Sequence, residues 1–518
     1  MAFADGGLVE GAITPGSELL RIEGLSKTFP GTRALIDASI DVRSGEVHAL
    51  VGHNGSGKST LIKTLSGFHD PDPGASVWLG GQPVGFGELT TREHGLSRLS
   101  FVHQDLGLVL ELDTIDNLAI HGGYRRTRTG RVDWREQRAL ATRLLAPFGL
   151  DFDINLPLSK VTPVERTLVA IAAALQAWDS TGGVLILDEP TAVLPPFEVR
   201  RLMRIVRDLR AAGAGILYVS HRLDEIFELA DRVTVLRGGR NVATRDVADL
   251  TKHELIELML GPAAAASYET QPPPAAEGEP VLEVRGLSGI YVRNVDLVLR
   301  RGEVVGVAGL PSDGRDELPR LLTDRRRAAG GMLRMPARAP EWTPVAKFRG
   351  DAITLLPPDR GTEGVITPMT VAENLSLSVI HRLSSGFLLR RNDESSFVDT
   401  WVRKLSIQVA ANESPIVTLS GGNQQKVLFG RVLGQQPDVL AMCEPTAGID
   451  IGARLAIYRL IAEQAAAGLS VLITSSDIDD LLAVCHRVLV MREGVVARVL
   501  AGDAVTEHQL VRAMEGIE

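Results

Sequence analysis

Eight residues carry the first chemical signal: Gly52-His53-Asn54-Gly55-Ser56-Gly57-Lys58-Ser59. They fit the spacing G-x-x-x-x-G-K-S, with the apolar run HALV before them and STLIKTLSG at helical spacing after them. Glycines let backbone N–H groups turn toward an anion, and the N-terminus of the following helix adds a favourable dipole. Lys58 is then placed to reach the β- and γ-phosphates of a nucleotide, and Ser59 a magnesium ion. The expected nucleotide-contacting set is Gly52, Asn54, Gly55, Gly57, Lys58, Ser59 and Thr60.

A second signal is the run Val184-Leu-Ile-Leu187-Asp188-Glu189-Pro190, an apolar strand ending in two acids. Carboxylates at a buried strand end are costly unless a cation or a donor meets them. In a phosphate-binding domain, Asp188 suits the outer shell of a metal ion and Glu189 the activation of an attacking water. Gln104 in FVHQD and His221 in YVSHRLDE each follow an apolar run too. Taken alone, either one reads as a structural residue.

The elements that must position these groups are written twice. Gly45-Glu46 recurs as Gly302-Glu303 and Lys58 as Arg315, both 257 residues on; Thr162 recurs as Ser420 (258), Glu189 as Glu444 (255) and Arg232 as Arg487 (255). Landmarks in one order at a nearly fixed shift mean a duplication. The intervening GPAAAASYETQPPPAAEGEP is rich in Pro and Ala and reads as a semi-extended linker. The domains are expected at 17–260 and 281–518, with the linker at 261–280. Within each copy, short apolar runs such as EVHALVG, GVLILDEP and GILYVSH alternate with helical stretches such as LDEIFELADR. That alternation predicts an α/β fold with a mostly parallel sheet, its ligands at the C-terminal strand ends.

Composition narrows the class. The 518 residues include 55 Lys and Arg against 64 Asp and Glu, a net charge of −9, which gives no sign of a nucleic-acid partner. The run Arg325–Arg327 reads as a solvated loop. Two cysteines, Cys443 and Cys485, are too few for a disulfide framework and fit a reducing compartment. MAFADGGLVEGAITPG lacks the basic start and apolar core of a signal peptide, no stretch reaches the ~18 apolar residues of a membrane span, and no lipid anchor is expected.

Near the end of the second copy comes Leu419-Ser420-Gly421-Gly422-Asn423-Gln424-Gln425, followed by PTAGID with Asp450. This nearly reproduces the signature of the ATP-binding-cassette superfamily. With GLSKTFPGTRAL, GHNGSGKSTLIKTLSG, EPTAGIDIGAR and the SSD segment, the chain resembles the tandem-cassette ATPase subunit of bacterial importers for ribose, xylose, galactose and similar monosaccharides. The resemblance covers nearly the whole chain. It implies two P-loop NTPase domains of cassette type, each with an antiparallel β subdomain and a helical subdomain, and ATP and Mg2+ as ligands. It also implies roles: Phe29 as an adenine platform, Gln104 as sensor of the metal and γ-phosphate, and His221 as holder of the γ-phosphate. Ser420, Gly421, Gly422 and Asp450 would approach a nucleotide held by the other domain. The implied partners are a pair of membrane permease subunits, fed by an extracytoplasmic solute-binding protein, with this chain peripheral at the cytoplasmic face. Coupling residues would fall near Gln104 and in 105–160.

The second copy departs from the pattern. Its loop reads Gly309-Leu-Pro-Ser-Asp-Gly314-Arg315-Asp316, so lysine has become arginine and the metal-binding hydroxyl an acid. Pro358 stands for the glutamine, Cys443 for the aspartate before Glu444, and Ser476 for the histidine. The family commonly carries the arginine and the serine; Cys443, Asp316 and Pro358 go further. The first copy has Val161-Thr-Pro-Val-Glu165 where a signature belongs and Leu194-Pro195 in place of an aspartate-bearing D-loop. Because cassettes of this superfamily pair head to tail, the first loop with the second signature collects every intact element. One hydrolysing site and one degenerate site are expected. Nucleosides or an autoinducer-2-like sugar are alternative cargoes. A ribosome-associated cassette ATPase would carry a long charged linker and two good sites, and a DNA-repair cassette would carry zinc-binding cysteine pairs. An exporter is disfavoured by the sugar-type second domain.

Overall fold

The computed structural model describes residues 16–89, 99–149, 152–176, 178, 183–191, 194, 196–220, 222–262, 278–324, 327–348, 351–386 and 388–516, without the side chains of 196, 197 and 311. His221, Pro195, Arg325, Arg326 and most of the linker lie outside the described residues. The chain divides into two compact units, Met1–Ala266 and Ser267–Glu518.

In the first unit, β1 (Glu18–Phe29), β2 (Thr32–Arg43), β4 (Ser76–Leu79) and β5 (Gln82–Val84) form an antiparallel sheet in the order β2-β1-β4-β5. The main sheet runs β10-β9-β3-β8-β7-β6, from β3 (Val47–Val51), β6 (Leu99–Val102), β7 (Val184–Asp188), β8 (Gly215–Val219), β9 (Arg232–Arg237) and β10 (Arg240–Asp246). All its pairings are parallel except β9 with β10. β3 and β8 are buried at all five residues, which explains why they read as continuous apolar runs rather than alternating ones. Leu50, Leu61, Ile62, Ile186, Leu217 and Val219 join them in one core with Leu20, Ile22 and Leu35 of the antiparallel sheet. Helices Thr114–Gly122, Trp134–Leu145 and Pro163–Leu175 pack on one another as a helical subdomain.

The second unit repeats this plan. β11 (Pro280–Ser288), β12 (Val295–Arg300), β14 (Gly330–Met335) and β15 (Ala339–Pro344) form the antiparallel sheet. Here β12 alternates buried and exposed, as a sheet with one wet face requires. The main sheet is β16-β19-β20-β13-β21-β22, from β13 (Val304–Ala308), β16 (Ile353–Leu356), β19 (Val439–Cys443), β20 (Ser470–Thr474), β21 (Arg487–Arg492) and β22 (Val495–Ala501). Read from the opposite edge, its strand order is that of the first unit. A short ribbon, β17 (Ser384–Ser385) with β18 (Leu388–Leu389), is added. Among the described residues no helix is long and apolar enough to cross a membrane.

Candidate functional site

The phosphate-type loop of the first unit leaves the end of β3 and enters the helix Lys58–Leu65. Gly52, Gly55 and Gly57 hold φ of 155°, 81° and 109°. A Cβ on Gly57 would lie 2.7 Å from the Ala34 carbonyl oxygen, and one on Gly52 would lie 2.3 Å from that of Leu236, so these glycines let the loop sit on β2 and β9. A Cβ on Gly55 would meet nothing within 4 Å, so that glycine serves the left-handed turn and leaves the concave side open. Lys58 is buried and donates from Nζ to the Gly52 carbonyl at 2.6 Å and the His53 carbonyl at 3.3 Å. Its ammonium thus lies over the cradle. The Ser56 hydroxyl is buried without a protein partner, while Ser59 is exposed. A cradle with open glycine space, a buried cation and an unpartnered hydroxyl fits a polyphosphate.

Asp188 and Glu189 sit half-buried at the end of β7. Burial, and next the neighbouring Glu189 charge, push the Asp188 carboxyl above the usual carboxylate range, as an acid awaiting a cation should be. Glu189 has φ 50°, a left-handed conformation in which its N–H donates to the Val219 carbonyl at 2.9 Å. Glu444 repeats this with φ 47° and a 2.8 Å bond to the Thr474 carbonyl. Such strain in a non-glycine residue is held by surrounding structure and concentrates at functional sites. Gln104 and Glu189 line one cleft of about 200 Å³, with Leu106, Leu108, Arg166 and Thr167. Phe29 stacks edge-on against His69, ring centroids 5.1 Å apart, with the Lys27 ammonium 5.4 Å from its ring centre.

The second loop is built differently. Its helix starts only at Glu317, two residues later than the duplication offset predicts from Lys58. Arg315, 5% exposed, donates to both carboxylate oxygens of Asp316 at 2.7 and 3.1 Å, pairs with Glu444 at 2.9 Å and reaches the Gly309 carbonyl at 3.4 Å. Glu444 also accepts from the Ser476 N–H at 2.7 Å and the Ser476 hydroxyl at 3.1 Å. Burial raises the Glu444 carboxyl to about 7 against the pull of Arg315. Cys443 is buried, and burial pushes its thiol up to about 12. Glu317 accepts from the N–H groups of Ile290, Tyr291 and Val292, at 2.7, 2.7 and 2.8 Å. The guanidinium at the position of Lys58 is thus already paired with two carboxylates.

The two signature positions also differ in kind. Thr162 and Glu165 form a capping box: the Thr162 hydroxyl accepts from the Glu165 N–H at 3.4 Å, and the Glu165 carboxylate accepts from the Thr162 N–H at 3.1 Å. Pro163 contributes no N–H at all. This helix end presents a carboxylate where an anion would arrive. In the second unit, Ser420 precedes the helix Gly421–Leu433 with no side-chain cap, and Asn423 donates to its hydroxyl at 3.0 Å. Gly421 and Gly422 form the first turn without side-chain bulk or negative charge. Asp450 caps the helix Ile451–Ala466, its carboxylate accepting from the Ala453 N–H at 2.8 Å.

A model of a single family, described as ABC transporter, matches residues 35–192 and again 292–447. This chain belongs to the ABC transporter family. It is 38% identical to "Ribose import ATP-binding protein RbsA 2" of Rubrobacter xylanophilus, over 96% of this chain and 95% of that one. It is also 38% identical to "Arabinose import ATP-binding protein AraG 2" of Burkholderia ambifaria, over 97% and 95%. Among solved structures, an archaeal ribosome recycling factor crystallised with a ribosomal stalk protein superposes with TM-score 0.62 at 20% identity, over 95% of this chain and 92% of that chain, a likeness of fold.

Membership of this family implies ATP binding. The structure places Gly52–Thr60, Asp188, Glu189 and Gln104 at the strand ends expected of them. It adds a residue that the sequence did not single out. Glu225, buried, accepts at one carboxylate oxygen from Thr191 at 2.9 Å, Tyr218 at 2.7 Å and Ser220 at 2.9 Å. It thereby ties the segment after Glu189 to the end of β8, and Asp480 does the same for Thr446, Tyr458 and Ser475 in the second unit. An acid six residues past an apolar strand in both copies was the available signal.

Proposed function

We propose that this chain is the ATP-hydrolysing subunit of a bacterial monosaccharide importer, with one competent ATP site. The observation that carries the one-site reading is the Arg315 cluster. Asp316 and Glu444 hold the second loop's only cation where phosphates would need it, whereas Lys58 donates to the Gly52 and His53 carbonyls of its own loop. The signature supports the same division. A helix entrance of Ser420, Gly421 and Gly422 suits a γ-phosphate, and one of Pro163 and Glu165 repels it. The intact cradle lies in the first unit and the intact signature, with Asp450, in the second.

In this reading Lys58 and the 52–59 backbone bind and orient the β- and γ-phosphates, and Phe29 supports the adenine. Ser59, Asp188 and Gln104 would hold Mg2+, which when bound supplies charge neutralisation on the phosphate oxygens. Glu189 accepts the proton of the attacking water as the new P–O bond forms and the bond to the β-phosphate oxygen breaks. His221 is assigned the γ-phosphate contact from its sequence position. The cargo class rests on the ribose and arabinose importers named among the relatives. The proposed partners are a pair of membrane permeases and, through them, an extracytoplasmic solute-binding protein, with this chain at the cytoplasmic face. Exposed Val109 and Leu110 beside the Gln104 cleft supply apolar surface for such a contact.

Single-turnover hydrolysis tests the reading. Glu189→Gln should abolish it and Glu444→Gln should leave it nearly intact; equal losses would overturn the one-site assignment.

A further inference from the structure

The turn after β16 in the second unit occupies the place that Gln104 and its followers take in the first. It is wound tightly: the Val365 N–H donates to the Arg360 carbonyl at 2.7 Å, five residues back, and Asp359 caps the entrance by accepting from the N–H groups of Gly361 and Thr362 at 2.8 and 3.2 Å. Single turns of this π type recur at functional sites. From it Arg360 extends to the segment that leads into Asp450, donating to the Ala447 carbonyl at 3.0 Å and the Gly448 carbonyl at 3.3 Å. The same guanidinium lies against the signature, where a Cβ on Gly421 would come within 2.6 Å of it. Two further bonds fix the turn. Glu363 accepts from Arg320 at 2.8 Å, and Arg431 of the signature helix donates to the Gly364 carbonyl. The matching turn of the first unit carries Leu106 and Gly107, both left-handed, and offers no guanidinium there.

We propose that Arg360 is a positioning residue for ATP hydrolysis: its guanidinium clamps the loop bearing Asp450 to the signature backbone at Gly421, so that Ser420, Gly421 and Asp450 move as one rigid lip. Arginine suits this task because its planar fork satisfies two carbonyls while its face packs on a glycine. The glycine at 421 leaves room for the fork, since a Cβ there would lie 2.6 Å from a guanidinium nitrogen and something would have to shift. The first unit, whose signature position ends in a carboxylate, carries no arginine in the matching turn at 103–107. The proposal rests on the reading that this signature serves the competent ATP site.

The test uses the full-length chain and compares Arg360→Ala, Arg360→Lys, Gly421→Ala and the double variant Arg360→Ala/Gly421→Ala. Arg360→Ala should lower kcat for ATP about tenfold or more, while ADP affinity, set by the 52–59 loop, stays within about twofold. Lysine, with one ammonium for two carbonyls, should restore only part of the rate. The two alanine effects should be strongly non-additive, because both remove one contact. Normal kcat in Arg360→Ala with a slowed Gly421→Ala would overturn the clamp alone. Normal kcat in both, with Glu189→Gln inactive, would overturn the reading beneath it. Should Arg360→Ala fold poorly, a fully active Arg360→Lys or strict additivity in the double variant would refute the clamp, and a slowed Arg360→Lys of unchanged ADP affinity would support it.

Discussion

Replacing Asp316 by serine would give the second loop the hydroxyl that the first carries at Ser59, and would remove half of the cage around Arg315. Asp316 holds that guanidinium with two bonds, 2.7 and 3.1 Å, yet its own side chain is 36% exposed. A desolvated charge-assisted pair contributes about 1.5–3 kcal/mol, and solvent screening at so exposed a carboxylate brings this to about 1 kcal/mol. The variant should therefore melt about 2–4 °C lower. The effect on nucleotide is larger and opposite in sign. A carboxylate about 4 Å from a phosphate charge repels it by about 1 kcal/mol in water and about 4 kcal/mol at an effective dielectric of 20. Losing that repulsion, with Arg315 left paired to Glu444 alone, strengthens anion binding about tenfold or more. Equilibrium dialysis with a non-hydrolysable ATP analogue measures the stoichiometry. The unmodified chain should bind one equivalent at concentrations where Asp316→Ser approaches two. Two equal-affinity equivalents on the unmodified chain would refute the idea that the cage excludes phosphate, and so would a variant with unchanged melting and unchanged stoichiometry.

Other perturbations address the scaffold. His48 is fully buried against Thr234, and burial pulls its imidazole down to about 4 from an ordinary value near 6.5. Its folded value is depressed, so the unfolded chain takes up the proton first, and stability is lost as pH falls from 6.5 toward 4. The full window corresponds to about 3 kcal/mol. Urea unfolding at pH 7 and pH 4.5 should show a smaller acid loss in His48→Gln, and an unchanged difference would exclude His48 as its source. Glu225→Ala would leave three buried hydroxyls without their shared acceptor, at a cost of about 2–4 kcal/mol. Thermal unfolding and ATPase assays should both register it, with Glu225→Gln milder; a normal melting point in the alanine variant would remove Glu225 from the account.

Much of this was legible in the sequence because it is local. The 52–59 loop, the strand ending at Asp188 and the repeated strand-helix alternation each depend on neighbours in the chain, where spacing and side-chain type decide the backbone. The substitutions in the second loop were visible as well, but their consequence was not. Asp316 reads as a group that repels phosphate, and only the fold brings Arg315 to Glu444, far along the chain, so that the cation is neutralised from within. Glu225 and Asp480 were hidden for a related reason. An acid in a helix usually faces water, and its recurrence at one distance past an apolar strand in both copies does not by itself mark it as a buried acceptor. Thr162-Pro-Val-Glu165 does spell a capping box, but measured against the family it registers only as a damaged signature. Arg360 acts on carbonyls 87 and 88 residues away, beyond the reach of any local pattern.

The measurement that bears most directly on the single competent site is a structure of the Glu189→Gln chain with ATP and Mg2+. It should show one triphosphate, its phosphates on Lys58 and its γ-phosphate touching Ser420 and Gly421, with Arg315 still paired to Asp316 and Glu444. A triphosphate on Arg315, or one on Lys58 with no contact to residues 420–422, would contradict the account.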